Sequence, residues 1–154
     1  MSKHFSTVQH NVWLPYRFAL GPNFYRWFEG LKEEKIWGNR CPKCGKVLVP
    51  ARTFCPECNV DKGEWIEVSH EGRIVTWIVA NRDFYGAPAK APLVYALLRL
   101  DGTDCNLLHL IGGVNAADQA KLKGMLKSGT RVRAVWNPEK RGHMLDLMYF
   151  QRVE

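Results

Sequence analysis

A chain of 154 residues is long enough for one domain, or for a small domain with an appended module. Its composition, 46% hydrophobic and 24% charged, is typical of a globular protein and excludes wholesale disorder. No apolar run reaches the roughly 18–20 residues that cross a bilayer, and the first residues lack a secretory signal pattern, so we expect a cytoplasmic protein. The net charge of +7 suits nucleic acid, anionic lipid or an anionic cofactor and does not choose among them.

The chain begins with an aromatic arm that is followed by a predicted helix. Residues 1–20 are rich in apolar side chains without a clear period, so the arm packs either on its own domain or on another chain. Pro22 suits a first helical turn and Gly38 suits a C-cap, which predicts a helix from about residue 22 to 37. One apolar face at i, i+3, i+4 and i+7 is formed by Phe24, Trp27, Phe28 and Leu31. The segment that follows is too small to bury all of this face, which favours a partner surface.

Four of the five cysteines stand close together in the pattern C-x2-C-x10-C-x2-C. Each C-x2-C turn directs two sulfurs at one ion, and two such turns supply the four thiolates of a tetrahedral Zn²⁺ site. Iron in a rubredoxin-like site is the minority alternative, whereas disulfides require an oxidising compartment and a redox CxxC requires a thioredoxin-like context. Four thiolates leave no open coordination position, so the predicted zinc is structural. The predicted ligands are Cys41, Cys44, Cys55 and Cys58; the fifth cysteine, Cys105, is predicted to be a small buried core residue.

The remainder of the chain is predicted to be mainly β. Its short β-rich runs are WIEV, RIVTWIVANR, PLVYALLRL, CNLLHLI, TRVRAVW and LDLMYFQRV, separated by turn residues. Residues 114–129 form a short helical insert with Asn115 as its candidate cap. Five or six strands with one short helix before the last two fit a small Greek-key barrel of the OB type. The expected units are residues 1–38 for partner docking, 39–62 for the zinc ribbon and 63–154 for the OB-fold barrel.

Catalytic motifs are absent from the sequence. It has no GxSxG, no phosphate-binding GxxxxGK[ST] and no GxGxxG. The five histidines are scattered, and His109, within an apolar strand, is predicted to be a hydrogen-bonded structural histidine. Asp83, Asp101 and Asp104 lie in turn-like stretches without an evident partner. We therefore predict no catalytic residue in this chain.

Basic and aromatic side chains in the barrel leave three interpretations open. They could bind single-stranded nucleic acid by stacking and phosphate neutralisation, or they could hold the nucleotide of coenzyme A. For any one residue, the ordinary expectation is a solvated cation or a packed aromatic ring. The residues concerned are Arg82, Phe84, Tyr85, Lys90, Arg131, Arg133, Trp136, Lys140 and Arg141.

The order of these parts resembles the DUF35 family over roughly residues 22–150. The resemblance rests on FYRWFEGLKEEKIWGNRCPKCGKVLVPARTFCPEC, EWIEVSHEGRIVTWIV, PLVYALLRLDG and HLIGG. The family consists of rubredoxin-like zinc-ribbon plus OB-fold proteins associated with acyl-CoA. Arg52 stands where the family usually has an arginine after proline, with VPAR in place of PPR. Among family members, the chain is most similar to the small zinc-ribbon subunit of heteromeric thiolases, such as the benzoylsuccinyl-CoA thiolases.

The resemblance implies a non-catalytic accessory subunit of a cytoplasmic hetero-oligomer. A thiolase-like partner would supply the catalytic residues for thiolytic C–C cleavage or acyl transfer, and the arm and first helix would dock on it. The barrel would help to cover the CoA ester, with Arg52, Arg82 and Lys90 as contacts of the CoA phosphates. No nucleic acid and no membrane enter this hypothesis. The alternative is a zinc-ribbon and OB-fold protein that binds single-stranded nucleic acid, and an independent enzyme comes third.

Overall fold

The computed structural model describes residues 17, 19–61, 63–84 and 86–153, so most of the predicted arm lies outside the described residues. No helix among the described residues is long and apolar enough to span a bilayer. The elements in chain order are α1 (Pro22–Lys32), β1 (Ile36–Arg40), β2 (Val47–Leu48), β3 (Trp65–Val68), β4 (Glu71–Ala80), β5 (Leu93–Leu100), β6 (Leu107–Ile111), α2 (Gln119–Met125), β7 (Arg131–Trp136), a 3₁₀ turn (Met144–Asp146) and β8 (Leu147–Arg152).

Helix α1 is shorter than the sequence predicts. It ends at Lys32 rather than near residue 37, because Glu34 adopts a left-handed φ of 58° and reverses the chain. The amide of Lys35 then donates to the carbonyl of Gly30 at 2.8 Å and closes the helix end. Gly38 is therefore a residue of β1 and not a C-cap. Pairing of β1 with β3 satisfies its backbone, so tertiary contacts override the local helical pattern.

The ribbon sheet has the antiparallel order β2–β1–β3. The sequence groups WIEV with the barrel strands, but the structure pairs this run with β1, with Ile36 opposite Val68. The buried Asn39 of β1 holds the linker between the two cysteine pairs. Its Nδ2 donates to the carbonyl of Arg52 at 2.5 Å, and its Oδ1 accepts from the amide of Arg52 at 3.2 Å. The ribbon therefore uses strands from both sides of the cysteines.

The barrel is closed, in the order β4–β5–β6–β8–β7, and only the β6–β8 pairing is parallel. The mainly β class, the OB-type barrel and the helical insert before the last two strands are confirmed. The predicted cap of α2 is wrong. Asp118 caps the helix by accepting from the amide of Lys121 at 2.9 Å, whereas Asn115 accepts from Ala117 in the preceding turn. Only Asp118 is adjacent to the first turn, where an orphan amide needs an acceptor.

One hydrophobic core runs from the barrel into the ribbon. Phe150 and Leu98 fill the barrel, and Leu122 of α2 belongs to the same cluster. The indole of Trp77 donates to the carbonyl of Leu126 at 2.5 Å and holds the end of α2. The members of the cluster on the side of α1 and the ribbon are Trp27, Leu31, Ile36, Val47, Val49 and Val68. The two modules therefore share buried surface and form one folded body.

The turn between β5 and β6 is hydrogen-bonded to the ribbon. Asp104 donates its amide to the carbonyl of Val47 and accepts from the amide of Val47 through Oδ2, both at 2.9 Å. The Sγ of Cys105 accepts from the amide of Val49 at 2.9 Å and donates to its carbonyl at 3.2 Å. Cys105 is half-buried at the edge of the core, where its thiol joins the ribbon to the barrel.

Candidate metal centre and surrounding surfaces

The two cysteine turns, residues 41–46 and 55–60, have the same backbone structure. In each, the amide of the fifth residue donates to the carbonyl of the first cysteine, at 3.0 and 2.9 Å. The amide of that cysteine donates to the carbonyl of the sixth residue, at 2.8 and 2.9 Å. The fifth residues, Gly45 and Asn59, both have a left-handed φ, 74° and 50°, a region that glycine and asparagine tolerate. The repeated geometry directs both cysteines of each turn to the same side.

The four sulfurs converge on one point. All four Sγ atoms lie within 4.8 Å of one another, and those of Cys44 and Cys55 are 3.9 Å apart. A tetrahedron with Zn–S bonds of about 2.3 Å has sulfurs about 3.8 Å apart, so the observed spacing fits one ion. Sulfur would fill every position of such a site, which leaves none for water or substrate. The cluster consists of Cys41, Cys44, Cys55 and Cys58.

The thiols differ in how readily they ionise. The amides of Cys44 and Lys43 approach the Sγ of Cys41, at 3.5 and 3.4 Å, and lower the pKa of Cys41 to about 6. A hydrogen bond with the thiol of Cys44 and burial raise the pKa of Cys58 to about 12. Four adjacent thiols therefore do not all lose their protons by themselves. A divalent cation bound to all four sulfurs would remove the remaining protons, because a coordinated thiol is deprotonated.

Helix α1 divides its apolar side chains between core and solvent. Trp27 and Leu31 are buried, whereas Phe24 remains 53% exposed and stacks on Phe28 with ring centroids 6.5 Å apart. Leu20 and Tyr25 are also exposed. The expectation that the ribbon cannot bury the whole face is confirmed. We call the exposed set, Leu20, Phe24 and Tyr25, the α1 surface.

A cation held between two tryptophans fixes α1 to the ribbon sheet. The guanidinium of Arg26 lies 4.9 Å from the ring centroid of Trp37 and 4.5 Å from that of Trp65. The two indoles meet edge to face, with centroids 6.5 Å apart. No sequence pattern indicates this cluster, because its members lie on three elements, α1, β1 and β3, that only the fold brings together.

The three predicted phosphate contacts lie on two parts of the structure. Arg52 is exposed beside a cleft of about 360 Å³, which Phe24 and Pro50 also line. Arg82 and Lys90 are exposed in the connection between β4 and β5. Asp83 accepts there from the amide of Ala91 at 2.6 Å, which brings together the two ends of the connection. Among the described residues, none of the three cations has an ion-pair partner.

Several other cations of the barrel are paired with carboxylates. Arg131 donates to Asp101 at 2.7 and 2.9 Å and to Glu71 at 2.9 Å. Arg133 donates to Glu71 at 2.5 and 2.8 Å, and these bonds lower the pKa of Glu71. Lys140 pairs with Glu34, and Arg141 with Glu139. Tyr85 lies outside the described residues. The pairing leaves less free positive charge for a nucleic acid than the sequence suggests.

His109 fits its prediction in part, because it is buried and hydrogen-bonded to the backbone of Met144 and Leu110. Its ring meets that of Phe150 edge to face at 5.7 Å, but its Nδ1 finds no hydrogen-bond partner among the described residues. Burial lowers the pKa of this imidazole to about 4, so it is neutral in the folded protein at pH 7. The three aspartates of the turns have structural roles, since each bonds a neighbouring backbone amide or arginine.

Comparison with known proteins covers both modules. Residues 28–62 match the family model described as the ChsH2 rubredoxin-like zinc ribbon domain, and residues 65–137 match that of the ChsH2 C-terminal OB-fold domain. A DUF35 domain-containing scaffold protein of Methanothermobacter thermautotrophicus is 37% identical over 67 residues, 43% of this chain and 50% of the relative. A probable enoyl-CoA hydratase alpha subunit of Thermomonospora curvata is 28% identical over 86 residues, 56% of this chain and 27% of the relative. The chain thus spans half or less of these curated relatives.

Two solved structures have a similar fold. A DUF35 protein of unknown function from Sulfolobus solfataricus has a TM-score of 0.59 and 25% identity, over 86% of this chain and 84% of that one. A chain of the structure described as Ltp2-ChsH2(DUF35) aldolase has a TM-score of 0.62 and 23% identity, over 88% and 97%. With both ChsH2-type domains in order over residues 28–137, and DUF35 relatives in sequence and in structure, the chain belongs to the DUF35 family of zinc-ribbon and OB-fold proteins.

Proposed function

We propose that this chain is a non-catalytic accessory subunit of a thiolase-superfamily enzyme that acts on CoA esters by thiolytic C–C cleavage or acyl transfer. The observation that supports it best is the α1 surface, exposed and apolar, on a body whose four-sulfur centre would have no open coordination position. The names of two relatives, a scaffold protein and an enoyl-CoA hydratase subunit, agree with an assembly role near CoA esters. The aldolase of similar fold also pairs a DUF35 chain with a second protein in its name.

The metal of this proposal is Zn²⁺ bound by Cys41, Cys44, Cys55 and Cys58. When bound, it would supply folding free energy and hold the two cysteine turns together. The proposed compartment is the cytoplasm, where thiols stay reduced. Metal analysis of the purified protein separates zinc from iron, since a four-thiolate iron site is coloured and zinc is not.

The division of labour follows three units. Residues 1–38 dock on the partner, residues 39–62 bind the metal, and residues 63–154 form the barrel that helps to cover the CoA ester. The ribbon sheet takes β1 across the first boundary and β3 from the barrel unit, so the units are rigidly connected. Arg52, Arg82 and Lys90 are the proposed contacts of the CoA phosphates, because they are exposed cations without an acidic partner among the described residues.

Purification and turnover test the proposal. A tagged copy in its native host is expected to co-purify with a thiolase-like subunit. The pair is expected to cleave a C–C bond of acyl-CoA esters when free CoA is supplied as the attacking thiol, with benzoylsuccinyl-CoA among the substrates assayed, while the purified chain alone turns over none of them. Full thiolase activity of the chain alone would contradict the proposal.

A further inference from the structure

The outer side of strands β4, β5 and β6 is apolar, although the outer side of a barrel in water is ordinarily polar. Alternate residues of β5 are buried inside the barrel, so the remaining ones point outward. Ile78, Tyr95 and Leu110 are direct cross-strand partners and form one outward row. Leu97 and Leu108 form the next row, opposite Thr76. We call this surface the outer barrel face: Ile78, Phe84, Tyr95, Leu97, Leu108 and Leu110.

The exposure of this face is large for a barrel. Ile78 is 63% exposed, Leu108 58% and Phe84 51%. The ring of Phe84 lies 6.4 Å from that of Tyr95, so the connection between β4 and β5 extends the apolar face instead of covering it with polar groups. Large side chains in adjoining rows form a contiguous patch, which marks an interaction site more often than scattered apolar residues do.

Cations border the patch at both ends. Arg73 and Arg99 are cross-strand partners next to the row of Leu97, and Arg99 is bonded to the neutral Asn106 at 2.8 Å. Arg82 and Lys90 lie at the other end, in the connection between β4 and β5. A second copy of this chain, docked about a two-fold axis, would set these cations against cations. The margins therefore favour a different protein with acidic residues around an apolar centre.

We propose that the outer barrel face binds the thiolase-like catalytic subunit, through an apolar centre with acidic margins. The identity of the partner rests on the proposed function, while the surface is additional to the α1 surface. Two contact areas on one rigid body fix the orientation of a partner as well as its position. The barrel thereby becomes part of the subunit interface.

Binding measurements with paired variants test this assignment. The probe is the thiolase-like subunit identified by mass spectrometry in the native complex and then purified. Ile78→Lys combined with Leu108→Lys is expected to raise the Kd about 100-fold, since two central apolar contacts become charged. Gln119→Lys with Ala120→Lys adds the same two charges on the exposed part of α2 and is expected to change the Kd less than about threefold. Metal content and thermal unfolding of both variants verify that they fold.

A second pair of variants needs no change in the apolar centre. Arg73→Glu with Arg99→Glu is expected to slow association about tenfold at low salt and to change dissociation little, because margin charges mainly steer encounter. If the protein with Ile78→Lys and Leu108→Lys fails to fold, the association rate of this second variant tests the inference instead. Unchanged association rates would then overturn the inference.

The outcomes separate the two hypotheses. If the thiolase-like subunit binds the wild type and the folded lysine variant equally, this inference is wrong and the proposed function stands. If the native complex contains no thiolase-like subunit, the proposed function fails, and this partner fails with it. If the wild type sediments as a homodimer that only the lysine variant loses, the face binds a second copy and the inference is overturned.

Discussion

Replacing His109 with glutamine removes the buried imidazole whose protonation opposes folding. In the folded protein, burial lowers the pKa of His109 from 6.5 to about 4, and in the unfolded chain the ordinary value applies. Between these values the unfolded chain takes up a proton that the folded protein does not. Above about pH 7, His109 is neutral in both states and does not lower the free energy of unfolding. As the pH falls toward 4, the free energy of unfolding decreases.

The size of the effect follows from the two pKa values. At pH 5 the loss amounts to about 2 kcal/mol relative to pH 7.5, and it approaches about 3 kcal/mol at pH 4. Urea unfolding of wild type and His109→Gln at pH 7.5, 6 and 5, with excess zinc, measures it. Other acid-sensitive groups, including the thiols, are common to both proteins. The difference in stability between wild type and variant should therefore shift by about 2 kcal/mol over this range.

The sign of this shift separates electrostatics from packing. Glutamine also changes the contact with Phe150, so its stability at pH 7.5 is expected to be lower than that of the wild type. The free energy of unfolding lost through this change in packing does not depend on pH. In acid, only the wild type loses further free energy of unfolding through His109. Parallel stability curves for the two proteins between pH 7.5 and 5 would refute a neutral buried His109.

Three further predictions concern the ribbon and its attachments. Cys55→Ser should release the metal and unfold the ribbon, since metal binding is part of the folding free energy; elemental analysis that still finds one zinc per chain would contradict the four-thiolate site. Cys105→Val should lower the free energy of unfolding in urea by about 1–3 kcal/mol, because the amide and the carbonyl of Val49 both lose their partner. Cys105→Ser should restore part of this loss. Arg26→Met keeps the aliphatic stem but removes the charge between two indoles, and should cost about 1 kcal/mol; an unchanged midpoint would show that packing alone holds α1.

Local patterns predicted the features that depend on neighbouring residues. Cys41 and Cys44 lie in one turn, and Cys55 and Cys58 repeat it, so spacing alone identified the cluster. Helix α1 began at Pro22 as expected, but its end depended on the pairing of β1 with a strand almost thirty residues later along the chain. No periodicity in the sequence indicates that pairing. Helix propensity placed the end of α1 too late along the chain, because the following residues are stabilised as strand β1 by their pairing with β3.

The junction and the outer barrel face required the structure. Cys105 bonds Val49 across 56 positions, and its apolar neighbours predicted only burial. The outer barrel face did leave a trace, because the β5 sequence LVYALLRL is apolar at both alternations rather than at one. Such a run is typical of a strand covered on both sides. The inner side is covered by the barrel core, so the outer side indicates a partner.

The metal centre and the outer barrel face are linked through β2. This strand pairs with β1 on one edge, and the β5–β6 turn bonds Val47 and Val49 at its end. Leu108, a residue of the outer barrel face, lies in β6, three positions after Cys105. The α1 surface is attached to the same sheet through Arg26. A metal that holds the cysteine turns would therefore fix the angle between the α1 surface and the outer barrel face. A partner that contacts both surfaces would bind more tightly, because the two surfaces lose little conformational entropy on binding.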